Sequence, residues 1–247
     1  MANTTSIEWT EATWNPVTGC TKVSAGCANC YAERLAVRLK AMGVLNYAHG
    51  FEPTMHEDSL HLPLTWKKPR SIFVNSMSDL FHEDVSNEFI LKVFDVMSEA
   101  HWHRFQILTK RPERLALMSR ILRWQPNIWM GVTVENSLCL DRVDMLVGSE
   151  AQVKFLSIEP MLGPLSQLST DGIDWVIVGG ESGPGARPIR YEWVAEIRDK
   201  CLKSDVPFFF KQWGGARKKE TGHVLDGRTW REMPARSQGL HLSLRNG

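Results

Sequence analysis

Short apolar runs of strand length alternate along this chain with longer stretches whose apolar residues recur at helical spacing. Ser71-Ile72-Phe73-Val74-Asn75 predicts a strand, and Asn87 to Ala100 predicts the helix after it. Arg104 to Thr109 is the next strand, ending in Lys110-Arg111-Pro112 and a helix from Glu113. Asn127 to Val134 is a third, with its helix starting near Asn136 or Ser137. Val153 to Ile158 and Trp175 to Val178 are the fourth and fifth; Tyr191 to Lys203 is a helix, and Pro207 to Phe210 a sixth strand. The segment before Cys20 has room for one more. Such alternation signals βαβ units and a parallel sheet. The runs are almost wholly apolar, as strands covered on both faces are.

Right-handed crossovers lead such a chain to an open doubly wound sheet or to a barrel. Each run stops at a polar or charged residue: Asn75, Ser76 and Asp79; Lys110 and Arg111; Glu135; Glu159; Glu181; Lys211. In barrels of the TIM type that rim is where active sites are built. Any one of these residues is explained equally well by helix capping or a solvated loop. Six endings in succession, four of them with carboxylates, make a candidate site. The expected fold is therefore α/β, an incomplete (β/α) TIM-like barrel of about six to seven parallel strands. The chain reads as a single domain, 1–247, with a cysteine loop and first helix at 12–34. An irregular stretch at 40–70, containing Pro53, Pro63 and Pro69, reads as an insertion or lid.

Composition narrows the class. Of 247 residues 43% are hydrophobic and 23% charged, an ordinary globular mixture that excludes a disordered, collagen-like or disulfide-scaffold chain. The first residues lack the basic and apolar regions of a signal peptide, and no apolar run approaches the ~20 residues of a bilayer span. A cytoplasmic protein with no membrane partner is expected. The net charge of +1 is uneven: 211–247 carries +5 and the remainder −4. This basic C-terminal extension interleaves Trp213 and Trp230 with Arg217, Lys218, Lys219, Arg228 and Arg231. Aromatics among cations suit stacking on bases beside phosphates, which makes a nucleotide or nucleic acid a candidate partner. The alternative is that Trp213 packs in the core and the charges are merely solvated.

The cysteines carry the most specific chemistry. Cys20, Cys27 and Cys30 form a Cys-x6-Cys-x2-Cys cluster, while Cys139 and Cys201 are solitary and lie in helical segments. In a cytoplasmic chain clustered cysteines point to metal or redox chemistry rather than to disulfides. A closed zinc site wants four ligands, and here one knuckle has no second knuckle or nearby histidine. A four-iron cluster held by three thiolates leaves one iron open for an exogenous ligand. Zinc with a distant fourth ligand and plain reduced thiols are the other readings. Gly19 and Gly26 each precede a cysteine, where a loop wrapping a compact ligand needs freedom.

A three-cysteine loop ahead of a βα barrel resembles the radical S-adenosylmethionine (SAM) superfamily, whose usual motif is Cys-x3-Cys-x2-Cys. The first gap here is longer, and the aromatic Tyr31 follows the last cysteine instead of preceding it. The closer resemblance is to a phage- and bacteria-associated three-cysteine family. It rests on Trp14 to Cys20, Cys27 to Glu33, Asn75 to His82, Leu108 to Pro112, Gly131 to Asn136, Leu156 to Pro164, Val176 to Pro188 and Leu225 to Pro234. The resemblance implies a [4Fe-4S] cluster on Cys20, Cys27 and Cys30, with SAM chelated by the open iron. It implies Ser76 and Asp79 near the SAM ammonium and Glu135 near the ribose hydroxyls. Gly179, Gly180 and Glu181 are assigned to the SAM or substrate pocket, since Gly-x-Gly-x-x-Gly is not met. Lys110, Glu159 and Lys211 are the catalytic or substrate-facing candidates. A reducing partner such as flavodoxin or ferredoxin is implied as well. The expected function is a radical SAM-type enzyme acting on a nucleotide or nucleic acid. The alternative is a zinc- or iron–sulfur-stabilised nucleic-acid-binding or regulatory module without SAM cleavage.

Overall fold

The computed structural model describes residue 5 and residues 7–234. Residues 235–247 of the basic extension, and the side chains of Lys218 and Lys219, lie outside the described residues.

Strand β1 (Ala12–Trp14) is the strand for which the segment before Cys20 has room. Strand β2 (Val17–Thr18) leads to the cysteine loop and helix α1 (Tyr31–Ala41). The stretch 40–70 is a series of short 3-10 turns and strand β3 (Thr54–Met55), which pairs antiparallel with β2. Strand β4 (Ser71–Val74) stops one residue earlier than its apolar run suggests. Asn75 takes φ 59°, a left-handed conformation that turns the chain out of the ladder. Helix α2 (Asn87–Glu99) starts at Ser86, whose hydroxyl accepts from Phe89 N at 3.2 Å, and it buries Phe89, Ile90, Val93, Phe94 and Met97 along one stripe.

Strand β5 (Arg104–Thr109) is followed by helix α3 (Pro112–Met118), which has proline in its first turn. After strand β6 (Ile128–Thr133) the chain makes a single 3-10 turn before helix α4 (Asp141–Val147). The helix therefore begins later than Asn136 or Ser137. Asn136 Oδ1 accepts from Leu138 N, and that bond closes a tight turn first. Strand β7 (Val153–Ile158) reaches strand β8 (Trp175–Gly179) through a connection with no helix, interrupted by Pro160, Gly163, Pro164 and Gly172. Helix α5 (Tyr191–Lys203) then leads to strand β9 (Phe208–Gln212), which extends past Phe210 because Gln212 still pairs with Gly179. Helix α6 (Lys218–Thr221) and the hairpin β10 (Val224–Leu225) and β11 (Arg228–Thr229) follow.

Seven strands form one sheet in the order β1-β4-β5-β6-β7-β8-β9, parallel through β1-β4-β5-β6 and through β7-β8-β9. Sequence order is spatial order throughout. A doubly wound sheet reverses direction at a switch point; this one does not. The winding is that of a (β/α) barrel with fewer strands than the closed form of about eight.

Two compact units contribute to this order, one comprising Met1–Thr133 with Asp141–Val153, the other Val134–Leu140 with Lys154–Gly247. In the first, Trp14, Ile72, Phe94 and Phe105 are fully buried, with Trp14 and Phe105 ring centroids 5.8 Å apart. In the second, Phe155, Trp175, Phe208 and Phe210 fill the interior.

Candidate functional site

The cysteine loop is shaped by the segment that follows β4. Asn15 Oδ1 accepts from Ser76 Oγ at 3.2 Å and from Met77 N at 3.1 Å. Ser78 Oγ donates to Val17 O at 2.8 Å, and Gly19 N to Met77 O at 3.0 Å. On its other side the loop meets the 40–70 stretch, where Cys20 N donates to Phe51 O at 3.0 Å. Gly19 has φ +82°, and a Cβ there would lie 2.1 Å from Glu52 O, so only glycine fits. Cys27 closes a 3-10 turn and Cys30 stands at the start of α1, so the backbone presents the three sulfurs from three different local conformations. All three are half-buried thiols outside any disulfide, and Cys139 and Cys201 are buried. Among the described residues no three His, Cys, Asp or Glu side chains converge closely enough to hold a single metal ion. A single ion needs ligands that meet at one point, whereas a cubane is gripped at separate irons.

The thiols differ in electrostatics. Burial, then the Asp79 carboxylate, pushes Cys20 up to about 11 against the opposing pull of Arg111. At Cys27 burial also opposes ionisation, but a backbone hydrogen bond at Val23, the Lys110 charge and bonds at Ser24 outweigh it and lower the thiol.

Arg111 is the hub of this region. Its Nε donates to Glu83 Oε2 at 2.9 Å, one terminal nitrogen donates to Thr21 O and Oγ1, and the other to Cys20 Sγ at 3.4 Å and Asp79 Oδ2 at 3.3 Å. Asp79 is only 5% exposed, and both its oxygens are engaged: Oδ1 accepts from Phe81 N and Thr109 Oγ1, Oδ2 from Lys110 N and Arg111. His82 Nδ1 accepts from Asp84 N, which leaves Nε2 to donate to Thr21 Oγ1 at 2.9 Å. Ser76 gives its carbonyl to the Tyr31 hydroxyl. Cys20, Asp79 and Lys110 of the expected set share this network, Cys27 feels the Lys110 charge, Ser76 is held instead by Asn15 and Tyr31, and Cys30 packs against Ala32, Ala36, Tyr47 and Met77. Thr21, His82 and Glu83, which the sequence reading did not single out, belong to the same network. His82 falls within the Asn75 to His82 segment, but nothing in its spacing ties it to Thr21.

Glu135, Glu159, Gly179, Gly180, Glu181 and Lys211 lie in the second unit. Lys211 Nζ and Glu159 Oε1 form a 3.0 Å ion pair, and Ser157 Oγ donates to Glu159 Oε2 at 3.4 Å. A Cβ on Gly179 would sit 2.8 Å from Glu159 Oε1, so the missing side chain makes room for the carboxylate. Gly180 donates its N–H to Gln212 O, and a Cβ there would lie 2.0 Å from Trp213 O. Packing between strand ends thus accounts for that glycine. Glu181 accepts from the backbone and guanidinium of Arg187, whose charge it holds above the ordinary range. Glu135 is fully buried and acts electrostatically on the same arginine.

In the basic extension, Trp230 is 6% exposed, its ring covered by the Arg228 guanidinium 3.4 Å from the centroid and its Nε1 donating to Leu225 O. It is a core residue, which corrects the expectation of a base-stacking platform there. Trp213 is half-buried, meets Phe210 edge-on at 4.7 Å and donates to Val224 O.

Residues 4–234 match the family described as "Protein of unknown function (DUF5131)". The chain belongs to the DUF5131 family. No curated protein matches this DUF5131 member. Its fold is similar to that of spore photoproduct lyase. A complex with dinucleoside spore photoproduct aligns with TM-score 0.51 and 10% identity, and a mutant with TM-score 0.52 and 11% identity. A further mutant, with bound AdoMet and dinucleoside spore photoproduct, gives TM-score 0.51 at 10% identity. Each match covers 82% of this chain and 64% of the other, so the DUF5131 chain spans under two thirds of the lyase. Together with the strand order, this likeness makes the fold an incomplete (β/α) barrel like that of spore photoproduct lyase. No helix among the described residues is long and apolar enough to cross a membrane.

Proposed function

We propose that this chain is a radical SAM enzyme in which Cys20, Cys27 and Cys30 ligate a [4Fe-4S] cluster and the remaining iron binds SAM. The observation that carries this reading is the donor set. Three free thiols share one loop after β1, and hydrogen-bond donors address Cys20 and Cys27. Thiolates bound to iron accept such hydrogen bonds, so the residues present fit the group. When bound, cluster and SAM supply one-electron cleavage of the sulfonium and so start radical chemistry.

The chain's own residues bind, orient and exclude. Ser76 and Glu135 are the polar groups this reading assigns to SAM, at the ammonium and the ribose diol. Asp79, whose oxygens already accept four hydrogen bonds, contributes by holding Arg111 and Lys110 in place. The Lys211–Glu159 pair is positioned to orient a polar substrate, while Gly179, Gly180 and Glu181 form the adjoining wall. A nucleotide or nucleic acid is the proposed substrate class, supported by the likeness to a lyase bound to a dinucleoside photoproduct. A flavodoxin or ferredoxin is the proposed electron donor, and the cytoplasm the proposed location.

Anaerobic reconstitution tests the centre: about four irons and four sulfides per chain are expected. Incubation with SAM and dithionite should then release 5′-deoxyadenosine and methionine. Stoichiometric zinc without iron would point to the metal-stabilised module instead. Iron without SAM cleavage would leave a barrel that keeps its cluster for another purpose. Oligonucleotide binding should weaken with salt, log K falling by about 0.7–0.9 per neutralised phosphate for each unit of log salt. Binding indifferent to salt would remove nucleic acid from the candidates.

A further inference from the structure

One side chain ties the cysteine loop to the C-terminal end of β5. Arg111 is 7% exposed and cannot swing away from Cys20, because Glu83, Thr21 and Asp79 occupy its other donors. Asp79 is itself fixed by Phe81 N, Thr109 Oγ1 and Lys110 N. The guanidinium lies between a sulfur at 3.4 Å and a carboxylate oxygen at 3.3 Å. We infer that Arg111 is a positioning residue that raises the reduction potential of the iron–sulfur cluster through Cys20, with Asp79 opposing it through the same guanidinium. The inference rests on the reading above, that the three cysteines hold a cluster.

A cluster held by thiolates gains one unit of negative charge when one electron enters; no bond is made or broken. A cation donating a hydrogen bond to a ligand sulfur draws electron density from it and stabilises the more negative state, so the potential rises. Removing Arg111 loses that donor and also leaves the Asp79 carboxylate uncompensated beside Cys20. Both effects lower the potential. Removing the Asp79 charge while Arg111 stays has the opposite sign. A residue that merely supports the loop would not produce opposite shifts.

The test is a redox titration of the full-length, anaerobically reconstituted holoprotein, with dithionite and mediators, read by electron paramagnetic resonance of the reduced cluster. At the wild-type midpoint, Arg111→Gln should lower the reduced-to-oxidised ratio about tenfold, a downward shift of about 59 mV for one electron. Arg111→Lys, which keeps the charge and loses the planar fork, should fall between the two. Asp79→Asn should shift the midpoint upward. If Arg111→Gln assembles no cluster, the upward shift in Asp79→Asn carries the test. An unchanged midpoint in both variants with full iron content overturns the inference, and so does a downward shift in both. Wild-type protein that assembles no iron–sulfur cluster overturns the parent reading, a result distinguishable from either of these.

Discussion

Among single residues the cysteines separate by environment rather than by type. Burial, then Glu232, pushes Cys201 up to about 12, and Cys139 is buried, so neither offers a thiolate to solvent. Cys27 is lowered and Cys20 raised. Because the thiolate is the nucleophile, iodoacetamide added to metal-free protein near neutral pH should label Cys27 ahead of Cys20 and leave Cys139 and Cys201 untouched until unfolding. Peptide mass spectrometry over a pH series reads this order, and equal rates at Cys20 and Cys27 would contradict it. The spacing of Cys20, Cys27 and Cys30 is legible in sequence because three neighbouring thiols are a local pattern. Arg111 is also visible there, as a charge at a strand end, but its partner is not. Cys20 and Arg111 are brought together only because β1 and β5 flank β4 in the parallel sheet.

Within elements, glycines and caps decide where the chain turns. Gly19 takes a positive φ with no room for a Cβ beneath Glu52 O. Gly19→Ala must therefore strain the backbone and push the loop from the 40–70 stretch. A cost of about 1–3 kcal/mol is expected for the backbone alone, or roughly 2–4 °C in Tm per kcal/mol for a chain this size. Scanning calorimetry measures it, and an unchanged Tm would mean the loop is not docked as described. Ser86→Ala removes the acceptor that caps α2 and should cost about 1 kcal/mol, with iron binding unaffected. At the hairpin end, Trp230→Ala empties a buried site and should destabilise by about 3–5 kcal/mol in denaturant titration. A Trp230→Ala protein of normal stability with weakened oligonucleotide binding would restore the stacking role that burial removes.

For the whole molecule, three histidines make stability depend on pH. Burial holds His103, His82 and His56 below their ordinary value of 6.5. His103 is fully buried among Trp66, Trp102 and Phe105, and His82 is also pressed down by Arg111. Below about 6.5 the unfolded chain takes up protons that the folded chain refuses, so stability is full above that pH and falls as pH drops toward the depressed folded values. Urea midpoints should therefore be lower near pH 5.5 than near pH 7.5, and His103→Gln should flatten part of that slope. A flat profile between these values would show the histidines to be solvated. Glu83, lowered to about 2 by a hydrogen bond to its own backbone and by Arg111, acts only at more acid pH.

The sequence by itself determined the things that depend on local order. Apolar runs of strand length separated by helix-length stretches dictate a parallel α/β sheet, and three closely spaced cysteines dictate a thiol-rich loop. Strand limits are legible to within a residue or two, the left-handed turn at Asn75 included, whereas the start of α4 is not, because the Asn136 side-chain bond to the backbone closes a tight turn first. Only the tertiary structure decided what those residues meet. It engaged Asp79 as the anchor of Arg111, left Gly180 no room for a side chain beside Trp213 O, and buried Trp230. The physical reason is distance along the chain. Hydrogen bonds and contacts between residues tens of positions apart form only when strands align, and no periodicity within a strand records which loop will lie beside it.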